Sequence, residues 1–153
     1  MTTVVATLDT MAADTRVSID GAAYYHANKI FRIGHSLFGT AGHGFMCLAM
    51  VEWLKTPARN RERLYKQWGD YERSEIWLLE LNPSGLYIWD GWGVPERLNE
   101  RRYAIGSGQQ AALRALDTGA SPHDAVKAGV DYDQYSGVPI QIEYLNPRKR
   151  RRG

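Results

Sequence analysis

Three residues near the start of the 153-residue chain, Thr2, Asp14 and Lys29, are of types that together support nucleophilic chemistry. Methionine before a small residue such as threonine is commonly trimmed, and trimming here would expose a free α-amine on Thr2. An α-amine titrates near ~8, so at neutral pH it can act as base to the hydroxyl of its own residue. The arrangement needs a cation that keeps the amine from holding its proton, and an acid to fix that cation. Lys29 and Asp14 fall on adjacent predicted strands and supply both.

Other chemical signals fail on their context. Gly106-Ser107-Gly108-Gln109-Gln110-Ala111 matches G-x-G-x-x-A between a strand and a helix, but that helix leads into another capped helix. A dinucleotide site requires a second parallel strand bearing an acid, so no cofactor is expected. His26, His35, His43 and His123 lack metal-ligand spacing, and there is no G-x-S-x-G elbow. No metal and no nucleotide site is expected. Cys47, the single cysteine, lies in an apolar run and is expected to be a small core residue in a reducing compartment.

Strands must hold the three residues. Thr3 to Leu8 is short and β-branched, Asp9-Thr10 offers a turn, and Met11-Ala12-Ala13 completes an opening hairpin. Lys29 to Ile33 and Ser36 to Ala41, around Gly34-His35, are expected as the third and fourth strands, so that four strands precede any helix. From Gly44 to Lys55, apolar residues cover nearly the whole helical circumference. A helix apolar on every side is buried on every side, here with one face on a sheet and another against a neighbouring subunit. Pro57 stops it, and Arg59 to Tyr71 is expected as a charged helix with Arg59, Arg61 and Arg63 on a solvated face.

Asn82-Pro83-Ser84-Gly85 is turn chemistry between strands at Ile76 to Leu81 and Leu86 to Trp89. Gly91, Gly93 and Pro95 predict a loop, Tyr103-Ala104-Ile105 a short strand and Gln109 to Leu116 a helix. Ser121-Pro122-His123-Asp124 combines an N-cap, a proline at the first helical position and an acid three residues after the cap. The helix it opens places Ala125, Ala128, Gly129 and Tyr132 on one face, and Val138 to Leu145 is the last strand. This order predicts an α+β protein, a four-layer αββα sandwich, rather than an alternating βαβ fold.

Composition bounds the rest. With 44% hydrophobic and 24% charged residues the chain suits one domain, residues 1–146, followed by a basic tail, 147–153, expected to be disordered. The 19 Lys and Arg against 17 Asp and Glu give +2, but five of the cations sit together from Arg148 to Arg152. Setting those aside leaves 14 basic against 17 acidic residues, a net −3, which argues against a wholly basic nucleic-acid-binding domain. The longest uncharged stretch, Gly34 to Val51, is interrupted by four glycines and is too polar for a membrane span. No secretory signal precedes Asp14, and a cytoplasmic location is expected.

Six ordered blocks carry a resemblance. They are Thr2-Thr3-Val4-Val5-Ala6, Ala12-Ala13-Asp14-Thr15-Arg16-Val17-Ser18, Lys29-Ile30-Phe31-Arg32-Ile33, Gly39-Thr40-Ala41-Gly42, Ile105-Gly106-Ser107-Gly108 and Asp133-Gln134-Tyr135-Ser136-Gly137. Together they resemble proteasome β subunits and the similar peptidase subunit of the bacterial heat-shock ring protease, HslV, which are N-terminal nucleophile (Ntn) hydrolases.

That resemblance implies a threonine endopeptidase working inside a stacked ring of identical subunits on peptide or unfolded-protein substrates, with an ATP-dependent unfoldase partner. It implies Thr2 as nucleophile with its amine as base, Lys29 lowering the pKa of that amine and Asp14 holding Lys29. The Gly42 N–H would donate to the oxyanion, and Ser107 and Asp133 would position the amine and its water, with Asp131 an alternative to Asp133. The opening hairpin is about four residues shorter than the family pattern, and the helices after Gly106 are compressed around Asp117-Thr118-Gly119. The competing expectations are a catalytically inactive ring subunit serving as scaffold, a tail that binds nucleic acid, and a hydrolase of small amides on the same fold.

Overall fold

The computed structural model describes residues 2–19, 23–57, 59–69 and 75–148. Six strands open the chain: β1 (Thr3–Thr7), β2 (Thr10–Asp14), β3 (Arg16–Ile19), β4 (Ala23–His26), β5 (Ile30–Ile33) and β6 (Ser36–Gly42). Helices α1 (Gly44–Lys55) and α2 (Arg61–Trp68) follow, then β7 (Ile76–Asn82), β8 (Gly85–Asp90), β9 (Pro95–Arg97) and β10 (Arg102–Gly106). The chain closes with α3 (Gln109–Asp117), α4 (Pro122–Tyr132) and β11 (Ile140–Tyr144).

Two antiparallel sheets, ordered β10-β1-β2-β11 and β5-β6-β7-β8-β9, face each other. Period-2 alternation sorts their side chains. Val4, Ala6, Met11 and Ala13 meet Leu37, Ala41, Leu79, Leu81 and Leu86 between the sheets. Val5, Ala12 and Ala104 point the other way, onto Ala112 and Leu116 of α3 and Ala125 and Val126 of α4. Across the molecule Phe38, Ile76, Leu78 and Trp89 pack against Met46, Met50, Trp53 and Leu54 of α1 and Leu64 and Trp68 of α2. The result is the four-layer αββα sandwich.

Several boundaries depart from expectation. Among the described residues six strands, not four, precede α1, because β3 and β4 form a separate two-stranded hairpin with Arg16 opposite His26 and Val17 opposite Tyr25. Tyr24 and Tyr25 are both more than half exposed, so the hairpin shows no inside-outside alternation by which the sequence could reveal it. In place of the loop expected through Pro95, β9 pairs along β8. Helix α2 starts later than expected because the Asn60 side chain caps it, accepting from the N–H groups of Glu62 and Arg63. Tyr71 and residues 149–153 of the basic tail lie outside the described residues.

Two expected apolar faces are only partly covered. On α1, Met46, Cys47, Met50, Val51, Trp53 and Leu54 are buried, but Phe45 and Leu48 are 57% and 59% exposed. On α4, Tyr132 is 71% exposed and Val126 takes its place in the core. Among the described residues no helix is long and apolar enough to cross a membrane.

Candidate active site

Strand pairing places Thr2. β1 pairs with β10 so that Thr3 lies opposite Gly106, which brings the chain just before β1 against the turn after β10. The Thr2 N–H donates to Ser107 Oγ at 3.1 Å, and the Gly108 N–H to the Thr2 carbonyl at 3.4 Å. At Gly106 φ is +98°, and a Cβ there would lie 2.0 Å from the Thr2 carbonyl oxygen. Only glycine permits that approach. The glycine pattern with no dinucleotide context thus serves as the turn that receives Thr2.

Behind Ser107 lies a buried polar cluster. Ser107 Oγ makes a very short contact with Asp133 Oδ2 and also lies 3.3 Å from the Thr2 carbonyl. A hydroxyl has one proton, and the nearer, charged carboxylate takes it. Ser136 Oγ donates to the same Asp133 oxygen at 2.8 Å, and the Tyr135 N–H to the other at 3.2 Å. Burial pushes the Asp133 carboxyl up, but the hydrogen bonds from Ser107, Ser136 and Tyr135 outweigh it and hold the group below the ordinary carboxylate range. Asp131 sits exposed on α4, outside this cluster.

The Asp14 carboxylate is fully buried and accepts from Lys29 Nζ at 2.9 Å. It also accepts the backbone N–H groups of Thr3 at 2.9 Å, Gly137 at 3.0 Å and Arg16 at 3.2 Å. Asp14 therefore ties β1, the Asp133 to Gly137 segment and the start of β3 to one point. Burial lowers the Lys29 pKa, and the attraction of Asp14 opposes that shift.

Thr2, Lys29 and Gly42 line one cavity of about 550 Å³, with Val17, Ala27, Phe31, Phe45 and Leu48 among its apolar walls. Gly42 ends β6 at φ +114°, where a Cβ would fall 1.9 Å from the Glu75 carbonyl oxygen. A side chain is excluded on that side, and the exposed Gly42 backbone faces the cavity. Cys47 also lines it; burial pushes its thiol up to about 11, with a hydrogen bond to Thr40 and the charge of Lys29 pulling the other way. Among the described residues no group of three or more His, Cys, Asp or Glu gathers as metal ligands.

All six residues named from the sequence, Thr2, Asp14, Lys29, Gly42, Ser107 and Asp133, thus fall into one connected region. Sequence reasoning assigned no role to Ser136 or Thr3, whose hydroxyls lie 3.0 Å apart in the same cluster. The spacing of Ser136 three residues after Asp133, as in a side-chain-stabilised turn, was the available signal.

No family model matches the chain, and no curated protein matches it by sequence. Solved structures do. The chain is similar to BPH, the bacterial proteasome homologue of Thiobacillus denitrificans, at 22% identity and a TM-score of 0.66, covering 95% of this chain and 98% of that one. BPH in complex with epoxomicin matches at 21% identity and the same TM-score, covering 95% and 99%. The eukaryotic HslV of Trypanosoma brucei matches at 21% identity and 0.65, covering 94% and 97%. Over nearly its whole length, the chain has the αββα Ntn-hydrolase fold of these proteins.

Proposed function

We propose that the protein is a proteasome-like threonine endopeptidase that acts through an acyl-enzyme on Thr2 once Met1 has been removed. The observation that carries this is the Thr2 nitrogen, 3.1 Å from Ser107 Oγ and backed by Asp133, at a cavity it shares with Lys29 and Gly42. With Met1 gone, that nitrogen is an amine. The cationic Lys29 side chain disfavours its protonation, so it accepts the Thr2 hydroxyl proton while Oγ attacks the peptide carbonyl. Negative charge develops on the carbonyl oxygen, and the Gly42 N–H is the donor assigned to it in this reading, which the position of Gly42 on the cavity wall supports. Collapse breaks the C–N bond, the ammonium returns its proton to the leaving amine, and an ester to Thr2 remains. Water, deprotonated by the same amine, hydrolyses that ester and restores the hydroxyl.

A ring of identical subunits with inward-facing sites would confine this activity in the cytoplasm. An ATP-dependent unfoldase would deliver unfolded chains to such a ring.

Intact mass of protein made in its native host, followed by epoxomicin labelling, tests the proposal. Loss of the Met1 mass and a single adduct on Thr2, absent from Thr2→Ala, are expected. Retention of Met1 in every molecule, or no adduct under conditions that label a control peptidase, would point instead to an inactive ring subunit.

A further inference from the structure

The edge strands of the two sheets, β5 and β11, run past each other on one side of the sandwich without belonging to the same sheet. One side chain bridges them at the point where β5 starts. Gln141 Oε1 accepts the backbone N–H groups of Lys29 at 2.9 Å and Ile30 at 3.2 Å, and its Nε2 donates to the Ile30 carbonyl at 3.1 Å. The carboxamide thus pairs with the β5 backbone as a neighbouring strand would. On the other side of the same residue, the Lys29 carbonyl accepts the Thr40 N–H at 2.9 Å. Both peptide groups flanking the Lys29 Cα are held, and its side chain runs from that anchored base to Asp14.

We propose that Gln141 is a positioning residue that sets where the Lys29 ammonium stands in the cavity beside Thr2. This rests on the reading of Lys29 as the cation that tunes the Thr2 amine. Releasing the carboxamide frees the start of β5, so Lys29 Nζ drifts from Thr2 and water reaches it. Among the described residues, the ionisable groups that act on Nζ are Asp14 on β2, Cys47 on α1 and Asp133 after α4, while Arg16, Tyr25 and His43 line the same cavity. None of these contacts Gln141 by hydrogen bond, so their own charges stay in place when it is changed.

Arg32 supplies the control. Its guanidinium donates to the carbonyls of Leu145, at 3.1 Å, and Tyr144, tying β5 to β11 at a distance from Lys29. A role confined to holding the two strands together is shared by both residues. Setting Lys29 is not.

The experiment compares Gln141→Met, with Gln141→Ala as a second variant should methionine crowd the gap, against Arg32→Ala in the full, matured protein. Cleavage of a short fluorogenic peptide is followed across pH, Lys29 is titrated by 15N NMR of labelled lysine, and thermal unfolding is recorded for each. In the Gln141 variants kcat is expected to fall about 10- to 100-fold with KM within about twofold, as when a catalytic group is misplaced rather than substrate binding lost. The rising limb of the pH profile moves to higher pH by on the order of half a unit or more, because the amine is less depressed. The Lys29 titration moves up toward the ordinary lysine value of 10.5. Arg32→Ala loses thermal stability without either pH shift.

Gln141 variants that lose stability as Arg32→Ala does, yet keep the wild-type Lys29 titration and pH profile, would overturn the proposal. If wild-type protein neither cleaves peptide nor forms a Thr2 adduct, the peptidase reading falls by itself. The Lys29 titration then still decides whether Gln141 sets that side chain.

Discussion

Asp14 and Lys29 form a buried ion pair at 2.9 Å in which the two partners are unequally provided for. The carboxylate accepts three backbone N–H groups besides the ammonium, those of Thr3, Arg16 and Gly137. Removing Lys29 leaves Asp14 well solvated by the backbone. Removing Asp14 takes the carboxylate from the Lys29 ammonium and the acceptor from three backbone N–H groups, two of them buried.

Asp14→Ala is therefore expected to cost about 3–5 kcal/mol, the range for breaking a buried pair, and Lys29→Met about half of that. Chemical denaturation of the two variants measures the difference, and equal losses would contradict it. Both should abolish peptide cleavage.

Asp133 makes stability sensitive to acid in a defined direction. Its folded carboxyl titrates below the ordinary 3.8, so the unfolded chain binds more protons as pH drops. Its stabilising contribution is complete above pH 3.8 and is lost as pH falls through the lowered folded value. Asp133→Asn should flatten the stability curve in that window. Ser107→Ala, which removes one of the donors, should flatten it partway and lower kcat on the order of tenfold or more by unfixing Thr2.

Gly42→Ala should lose stability as well as activity. A Cβ at this position meets the Glu75 carbonyl oxygen at 1.9 Å on a backbone of positive φ, so β6 and β7 must part at their ends. A loss of about 2–3 kcal/mol is expected, read as a fall in Tm. Gly44→Ala is the companion measurement, since nothing lies within 4 Å of a Cβ there, and its Tm should stay within about a degree or two or rise.

Cys47 should be a poor nucleophile in the folded protein. With its thiol pushed up to about 11 from an ordinary 9.0, ionisation alone slows alkylation on the order of 100-fold relative to the unfolded chain. Iodoacetamide at pH 7.5, with and without denaturant, gives the comparison. Equal rates would show that burial does not protect the sulfur.

The parts legible in the sequence were those with strong local chemistry. Asn82 to Gly85 gave away the β7–β8 hairpin, and the Ser121 cap, whose Oγ accepts the Asp124 N–H at 3.1 Å, announced α4. Thr2, Asp14 and Lys29 stand out by their chemistry near the start of the chain, whereas Gly42, Ser107 and Asp133 emerge only through ordered blocks spread over it. What stayed hidden depends on pairing across long separations. Gln141 looks like one polar residue in a strand until β5 is set beside it, and the β3–β4 hairpin buries too little to leave a pattern. Asp133 and Asp131 are two residues apart, and only the end of α4 at Tyr132 separates the carboxylate turned toward Ser107 from the exposed one.

The order β10-β1-β2-β11 also governs how the chain is made. β1 is an inner strand, and its outer neighbour β10 is synthesised about a hundred residues later, with β11 later still. At ~5–20 residues per second the opening hairpin waits roughly 5–20 s with both of its edges unpaired. Its Val4, Val5, Ala6, Met11, Ala12 and Ala13, all buried in the finished fold, are exposed for that interval. Nascent chains stalled before Arg102 should therefore bind chaperones and be cut readily by added protease, and chains released beyond Leu145 should resist both.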